Sequence, residues 1–203
     1  MKYKICVSGA AETGDCAPDA KEKTEELGRE IVRQNGVVVT GATIGVPYWA
    51  AVGCKKEKGF SIGISPAATE LEHVKKYKLP IDQFDIITYT GFGYSGRNLL
   101  LTRSSDAIIT VCGRIGTLNE FTIAFEDHKP IGILTGTGGI ADEIKEIVAE
   151  CNRPNPKIVY DDDPKTLIEK VIKLVKEDKE ETALNLPHDY QDHDSSSSPR
   201  SQE

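Results

Sequence analysis

Seven short apolar runs, mostly β-branched, alternate with seven helix-like stretches along this chain, and that alternation limits the fold more than any other feature. The runs fall near 3–8, 37–40, 60–64, 85–89, 106–112, 131–134 and 157–160. The helical stretches fall near 18–34, 46–57, 67–77, 97–104, 117–127, 140–151 and 164–177. Strand, helix and strand in succession form a right-handed parallel unit. The pattern therefore predicts a three-layer α/β domain, a parallel sheet of about seven strands with helices on both faces. Local signals agree. Pro18 stands in a first helical turn, and Gly36 follows a last turn ending Arg33-Gln34-Asn35. Pro164 opens the final helix behind three aspartates, whose charge suits a helix N-terminus.

The domain is expected over 1–177, and an acidic, Ser-rich tail over 178–203. Most of the net charge of −7 sits in that tail, where Asp178, Glu180, Glu181, Asp189, Asp192, Asp194 and Glu203 face only Lys179 and Arg200. Such a segment buries too little apolar surface to offset its ordering entropy, so it reads as disordered. His188 and His193 lie among aspartates there, but their spacing matches no common ligand set and reads as a solvated tail. No metal and no cofactor are expected. The body is nearly charge-balanced and carries no basic stripe, which argues against nucleic acid as a partner.

No apolar run approaches the roughly 20 residues needed to cross a bilayer, so no membrane partner is expected. A strand beginning at Tyr3 leaves no room for a signal peptide. Cysteines stand at Cys6, Cys16, Cys54, Cys112 and Cys151, with no C-x-x-C pair. An odd, unpatterned set points to free thiols in a reducing cytoplasm, with Cys6 and Cys112 as buried strand thiols.

The chemistry concentrates between Gly91 and Glu126. There a glycine loop opens a helix, the helix feeds an apolar strand, and a second glycine loop, Gly113-Arg-Ile-Gly116-Thr117, opens another helix. In an open parallel sheet, ligands bind at the carboxyl ends of the strands, where helix N-termini offer unpaired N–H groups to an anion. Other turns repeat the design: Ser8-Gly9-Ala10-Ala11-Glu12-Thr13-Gly14, Thr40-Gly41-Ala42-Thr43-Ile44-Gly45, Gly91–Gly96 and Thr135–Gly139. Their convergence predicts a nucleotide-sized pocket built from Gly9, Ala10, Gly41, Gly45, Gly113, Arg114, Ile115, Gly116 and Thr117. The fit to the dinucleotide and Walker fingerprints is poor, which sets aside an NAD dehydrogenase and a P-loop NTPase.

Each charged residue carries two readings. Thr117-x-x-Glu120 has the spacing of a capping box, in which Glu120 bonds back to the helix start. Arg97 can face the pocket, lie on an exposed helix face, or form a structural ion pair with Glu120. Arg114 is either a phosphate clamp or a surface cation. Arg103 and Asp106 read as solvated or capping residues, and Tyr48 and Trp49 as core rather than base-stacking surface.

The order of residues resembles the LONELY GUY (LOG) family of nucleoside 5′-monophosphate phosphoribohydrolases, often mislabelled lysine decarboxylases. It also resembles the wider Rossmann-like superfamily that includes DNA-processing protein A. The family hallmark is Pro-Gly-Gly-x-Gly-Thr-x-x-Glu at a strand end, preceded by Met-His-x-Arg-Lys. Gly113, Gly116, Thr117 and Glu120 match the first motif, Arg97 stands at the family arginine's distance from Asp106, which matches the acidic residue before the strand, and Gly41–Gly45 matches an early glycine element. The resemblance covers about residues 3–175 and is specific between 97 and 130. The chain departs from it at Tyr94–Gly96, where the family has Met-His, and at Asn98, Cys112 and Arg114, where it has lysine, proline and glycine. These departures bear on the reaction more than on the fold.

The resemblance implies a Rossmann-like nucleotide site, a homodimer, and hydrolysis of the N-glycosidic bond of a nucleoside monophosphate to free base and ribose 5-phosphate. It implies Glu120 and Arg97 as the catalytic pair, the carboxylate stabilising an oxocarbenium-like transition state. The alternative is a nucleotide-binding or sensing module without turnover, in which Arg97 and Glu120 form a structural pair.

Overall fold

The computed structural model describes residues 2–185. Seven strands alternate with seven helices. They run β1 (Tyr3–Gly9), α1 (Ala20–Arg33), β2 (Gly36–Thr40), α2 (Val46–Lys56), β3 (Ser61–Ser65), α3 (Glu70–Lys75) and β4 (Ile86–Tyr89). The second half holds α4 (Gly93–Ser104), β5 (Ala107–Val111), α5 (Ile115–Glu126), β6 (Ile131–Leu134), α6 (Gly139–Glu150), β7 (Ile158–Asp161) and α7 (Pro164–Leu184). All strands are parallel in the order β4-β3-β2-β1-β5-β6-β7, the Rossmann-like α/β architecture expected from the alternation.

The strands β1, β2, β5 and β6 are buried on both sides, as their near-continuous apolar sequences require. Alternate residues feed two cores. Ile5, Val7, Val38, Ile109 and Val111 pack with Leu27 and Ile31 of α1, Ala50 of α2, and Leu167 and Val171 of α7. Cys6, Val39, Ile108, Ile131 and Ile133 pack with Leu101 of α4, Phe121 of α5 and Ile144 of α6 on the opposite face. The chain moves outward from β1 through β2, β3 and β4, then crosses back through α4 to pair β5 against β1. The strand order reverses between β1 and β5, and a crevice opens there beyond their carboxyl ends.

Boundaries differ from the sequence reading in ways that matter. Helix α7 continues to Leu184, past the expected domain end at 177. Its extra turns are held by ion pairs, Lys157 to Asp178 at 2.7 Å and Lys179 to Asp106 at 3.1 Å. Asp178 and Lys179 are thus partnered rather than solvated. The rest of the expected tail, with His188 and His193, lies outside the described residues. Asp106 is likewise an anchor, since its carboxylate also accepts the Lys4 amide at 2.7 Å. Among the described residues no helix is long and apolar enough to cross a membrane.

Candidate functional site

The crevice at the β1/β5 junction holds a cavity of about 400 Å³, within the size range of small-molecule sites. Four segments close it. The end of β1 and the loop after it supply Ser8, Gly9, Ala10, Ala11 and Glu12; the β2–α2 turn and the start of α2 supply Gly41, Thr43 and Pro47; α4 supplies Tyr94, Arg97 and Asn98; and the β5–α5 turn with the first turns of α5 supplies Arg114, Ile115, Gly116, Thr117 and Glu120.

Glu120 sits at the base and is buried. Helix α5 begins at Ile115, so Thr117 is inside the helix rather than at its cap, and Glu120 is too far along to bond back to the helix start. The capping-box reading therefore fails. Glu120 turns inward instead. Its Oε2 accepts the hydroxyl of Ser8, and its Oε1 accepts Arg97 Nη1 at 3.1 Å. With its amide nitrogen turned toward Glu120, Asn98 donates to Oε1 at 2.8 Å and to the Tyr94 carbonyl at 2.9 Å. Burial pushes the Glu120 carboxyl above its ordinary pKa, against the opposing pull of the Arg97 charge and the Ser8 hydrogen bond.

Arg97 is equally buried, and its guanidinium lies over the bare Cα of Gly41, where a Cβ would collide with it. Among the described residues no acceptor reaches Arg97 Nε. An orphaned charged donor in a cavity wall is costly unless water or a ligand meets it.

The first N–H groups of α5 have no intrahelical acceptor, and no side chain caps the helix. Ile115, Gly116 and Thr117 thus present donors, with the positive helix end, to whatever occupies the cavity. Arg114 stands at the cap position and reaches across the mouth to Glu12 at 2.8 Å, both groups exposed. The remaining glycines serve packing. Gly45 has φ of 71° and its Cα lies against the carbonyls of Ala10 and Ala11, while Gly113 has φ of 93° and lies against the Thr117 side chain. Neither lines the cavity.

The wall residues not singled out as candidates in the sequence include Ser8, Asn98 and Tyr94. The Tyr94 ring is half exposed, lies 5.9 Å from the Arg97 guanidinium and meets Tyr77 edge-on at 5.7 Å. Tyr48 and Trp49 stay out of the site: Tyr48 donates to Asp82 at 2.8 Å, and Trp49 packs against the α1/α2 core.

The cysteine reading needs a correction. Cys16 and Cys112 are joined by a disulfide, their Cα atoms 5.5 Å apart. The β1–α1 loop folds over the carboxyl end of β5, so cysteines 96 residues apart in sequence meet between the two loops that flank the cavity. This removes the observation behind the cytoplasmic expectation. Cys6 and Cys54 are buried free thiols, and burial holds both above the ordinary thiol pKa.

A wider depression lies at the opposite ends of the strands, and most of its charges are paired; Lys129 donates to the Ser105 carbonyl at 2.6 Å instead. Lys4 and Lys179 meet Asp106, Arg103 meets Asp127, and Lys157 meets Asp178.

Comparison with known proteins adds to this geometry. The sequence profile of the SLOG cluster4 family (LDcluster4) matches residues 2–168. An uncharacterised protein of Archaeoglobus fulgidus is 30% identical over 131 residues, covering 64% of this chain and 81% of its own. Among solved structures, the molybdenum cofactor binding protein of Rippkaea orientalis is 30% identical with a TM-score of 0.69, covering 88% of this chain and 98% of its own. The molybdenum cofactor carrier protein of Chlamydomonas reinhardtii is 27% identical with a TM-score of 0.69, covering 86% and 99%.

Proposed function

Because the chain belongs to the SLOG cluster4 family, we propose that its cavity binds a phosphorylated, ring-bearing small molecule of nucleotide size. One observation carries this reading: the uncapped start of α5, Arg114 and the buried Arg97–Glu120 pair all line the same cavity. The phosphate sits on the N–H groups of Ile115, Gly116 and Thr117, with Arg114 released from Glu12 to clamp it. The ring reaches toward Tyr94, whose exposed face offers a stacking surface. Arg97 Nε meets a ligand oxygen or nitrogen.

Nucleoside monophosphates and phosphorylated pterins share this chemistry. The molybdenum cofactor relatives support the pterin class as a candidate beside AMP and its analogues. Among the described residues no group of three or more His, Cys, Asp or Glu could hold a metal, so recognition of a molybdenum-bearing cargo would rest on phosphate and ring. Calorimetry with AMP, GMP, ribose 5-phosphate and a phosphorylated pterin tests the reading. Binding weaker than millimolar by all four, with folded protein, overturns it.

A second reading adds turnover, and the buried carboxylate favours it. In hydrolysis of a nucleoside monophosphate, Glu120 takes a proton from a water as the water oxygen attacks C1′ of the ribose. The bond from C1′ to the base nitrogen breaks, and the leaving base picks up a proton. Ser8, Asn98 and Arg97 orient the carboxylate for that role. Release of free base and ribose 5-phosphate from any monophosphate supports it; tight binding without release favours a carrier or sensor.

The chain acts as a homodimer in this proposal. Leu99 and Leu100 of α4, with Phe92 before it, expose apolar surface next to the site that a second copy would cover.

A further inference from the structure

The disulfide joins two loops that both form the cavity wall. On one side are Ala10, Ala11 and Glu12 of the β1–α1 loop; on the other is the β5–α5 turn, which begins at Cys112. The two loops are not equally supported. The Cys112 turn is tied down independently: its amide donates to Thr137 Oγ1 at 2.9 Å, its carbonyl accepts Ala141 N at 2.9 Å, and the Gly113 carbonyl accepts Ile140 N at 2.9 Å. The β1–α1 loop is held at its ends, where the Ala10 carbonyl accepts Val46 N at 2.9 Å and Ala17 N donates to the Thr137 carbonyl at 2.9 Å. Between them, the described links from the loop to the rest of the chain are the exposed Glu12–Arg114 pair and the disulfide with its flanking Cys16–Gly138 bridge. An exposed ion pair restrains a loop weakly and is screened by salt.

We propose that Cys16–Cys112 is a thiol–disulfide exchange site that locks the β1–α1 loop onto the cavity, so that reduction by a dithiol releases it. The two residues differ in exposure, Cys16 being half-buried and Cys112 buried. A dithiol thiolate attacks the Cys16 sulfur, and the S–S bond breaks with its electron pair leaving on Cys112, which takes up a proton. The second thiol of the reagent closes on the mixed disulfide, freeing Cys16 as a thiol. Two electrons and two protons pass to the protein, and the reagent leaves as its cyclic disulfide. The reverse exchange with an oxidised dithiol restores the lock. Release widens the loop's conformational range while the β5–α5 turn stays in place.

The consequence for ligand binding rests on the proposed function. A loop competent only a tenth of the time weakens apparent affinity about tenfold. The loop release itself does not depend on that function.

The test uses the full chain, oxidised and treated with dithiothreitol, followed by amide hydrogen exchange and by calorimetry with AMP. Non-reducing peptide mapping of the oxidised chain is expected to show Cys16 linked to Cys112. Exchange in 11–16 is expected to accelerate about tenfold or more on reduction, with 113–118 little changed. Cys16→Ser is expected to match the reduced wild type in both conditions. If that variant misfolds, the wild-type pair of states still decides. No linked peptide, or equal exchange in the two states, overturns the proposal. Faster exchange without AMP binding in either state sinks AMP as ligand and leaves the lock standing. Faster exchange with unchanged AMP affinity refutes its control of the cavity.

Discussion

The guanidinium of Arg97 occupies the space that a side chain at residue 41 would need. A glycine on the β2–α2 turn, far from Arg97 in sequence, is therefore part of how the buried Arg97–Glu120 pair is seated. Gly41→Ala should push the arginine off its position and destabilise the protein by about 1–3 kcal/mol, the usual range for overpacking a tight site. Binding of AMP should fall with it. Thermal unfolding together with calorimetry reads both, and a variant with wild-type stability and affinity would show that Arg97 has another equally good seat.

Glu120→Gln separates charge from shape. Because burial raises the Glu120 carboxyl in the folded protein, the native state favours the protonated form more than the unfolded chain does. The stabilisation from that preference is full below the ordinary carboxylate pKa and is lost as pH rises through the raised folded value. Relative to Glu120→Gln, the wild type should thus lose stability as pH rises from the ordinary carboxylate pKa through the raised folded value. Denaturant midpoints of both proteins across that range test it, and a constant or growing wild-type advantage contradicts the sign. If the cavity hydrolyses nucleotides, the same variant should keep binding and lose turnover by orders of magnitude, on the order of the 10²–10⁴-fold that general acid–base groups supply.

Ser8→Ala removes the hydroxyl that donates to Glu120 Oε2. One carboxylate oxygen then loses its donor in a buried setting, which costs about 1–3 kcal/mol. The Glu120 pKa should move further up, so the pH dependence of the difference from Glu120→Gln should shift to higher pH. A Ser8→Ala protein with an unaltered stability profile would mean the hydroxyl is idle.

Glu12→Gln and Arg114→Ala should move ligand affinity in opposite directions. Freed from Glu12, Arg114 can meet a phosphate without first breaking its exposed pair. Arg114→Ala should weaken AMP binding by about tenfold, roughly one charge-assisted hydrogen bond discounted for exposure. It should also flatten the salt dependence of binding. Calorimetry at two ionic strengths checks both, and parallel behaviour of the two variants would remove Arg114 from the site.

A dimer through the outer face of α4 predicts that Leu100→Glu yields a monomer with its core intact, since Leu100 is well exposed in one chain. Sedimentation of wild type and variant decides, and equal masses would dismiss this face as the contact.

The layers and strand count were legible because the apolar period switches cleanly between strands and helices, as in Val37-Val38-Val39 followed by Val46–Lys56. The meeting of Arg97 with Glu120 was one of the alternatives the sequence left open, and the family resemblance pointed to it. The pair's partners were not legible, because a serine at a strand end such as Ser8 looks the same whether it meets solvent or a carboxylate. Glycines mislead in a similar way. Gly41, Gly45 and Gly113 carry one signal in sequence, yet each makes room for protein atoms. Thr117 and Glu120 imitate a capping box because the helix start two residues earlier, at Ile115, has no conventional cap to betray it. The disulfide was hidden for a topological reason: only the loop passing over β5 brings Cys16 to Cys112.

The position of β1 bears on how the protein is made. The first strand of the chain lies in the middle of the sheet, and Ile5 waits for Ala107 before its second edge is paired. Until β5 has been synthesised, β1 is an edge strand with unpaired backbone groups and an uncovered apolar flank, the state most open to wrong pairings. Closing that gap joins segments far apart in sequence, which makes the step slow for a protein of this size. A nascent chain arrested before Ala107 should therefore be a chaperone client, whereas one that has passed Leu134 has both neighbours of β1, and the strand beyond β5, available at once.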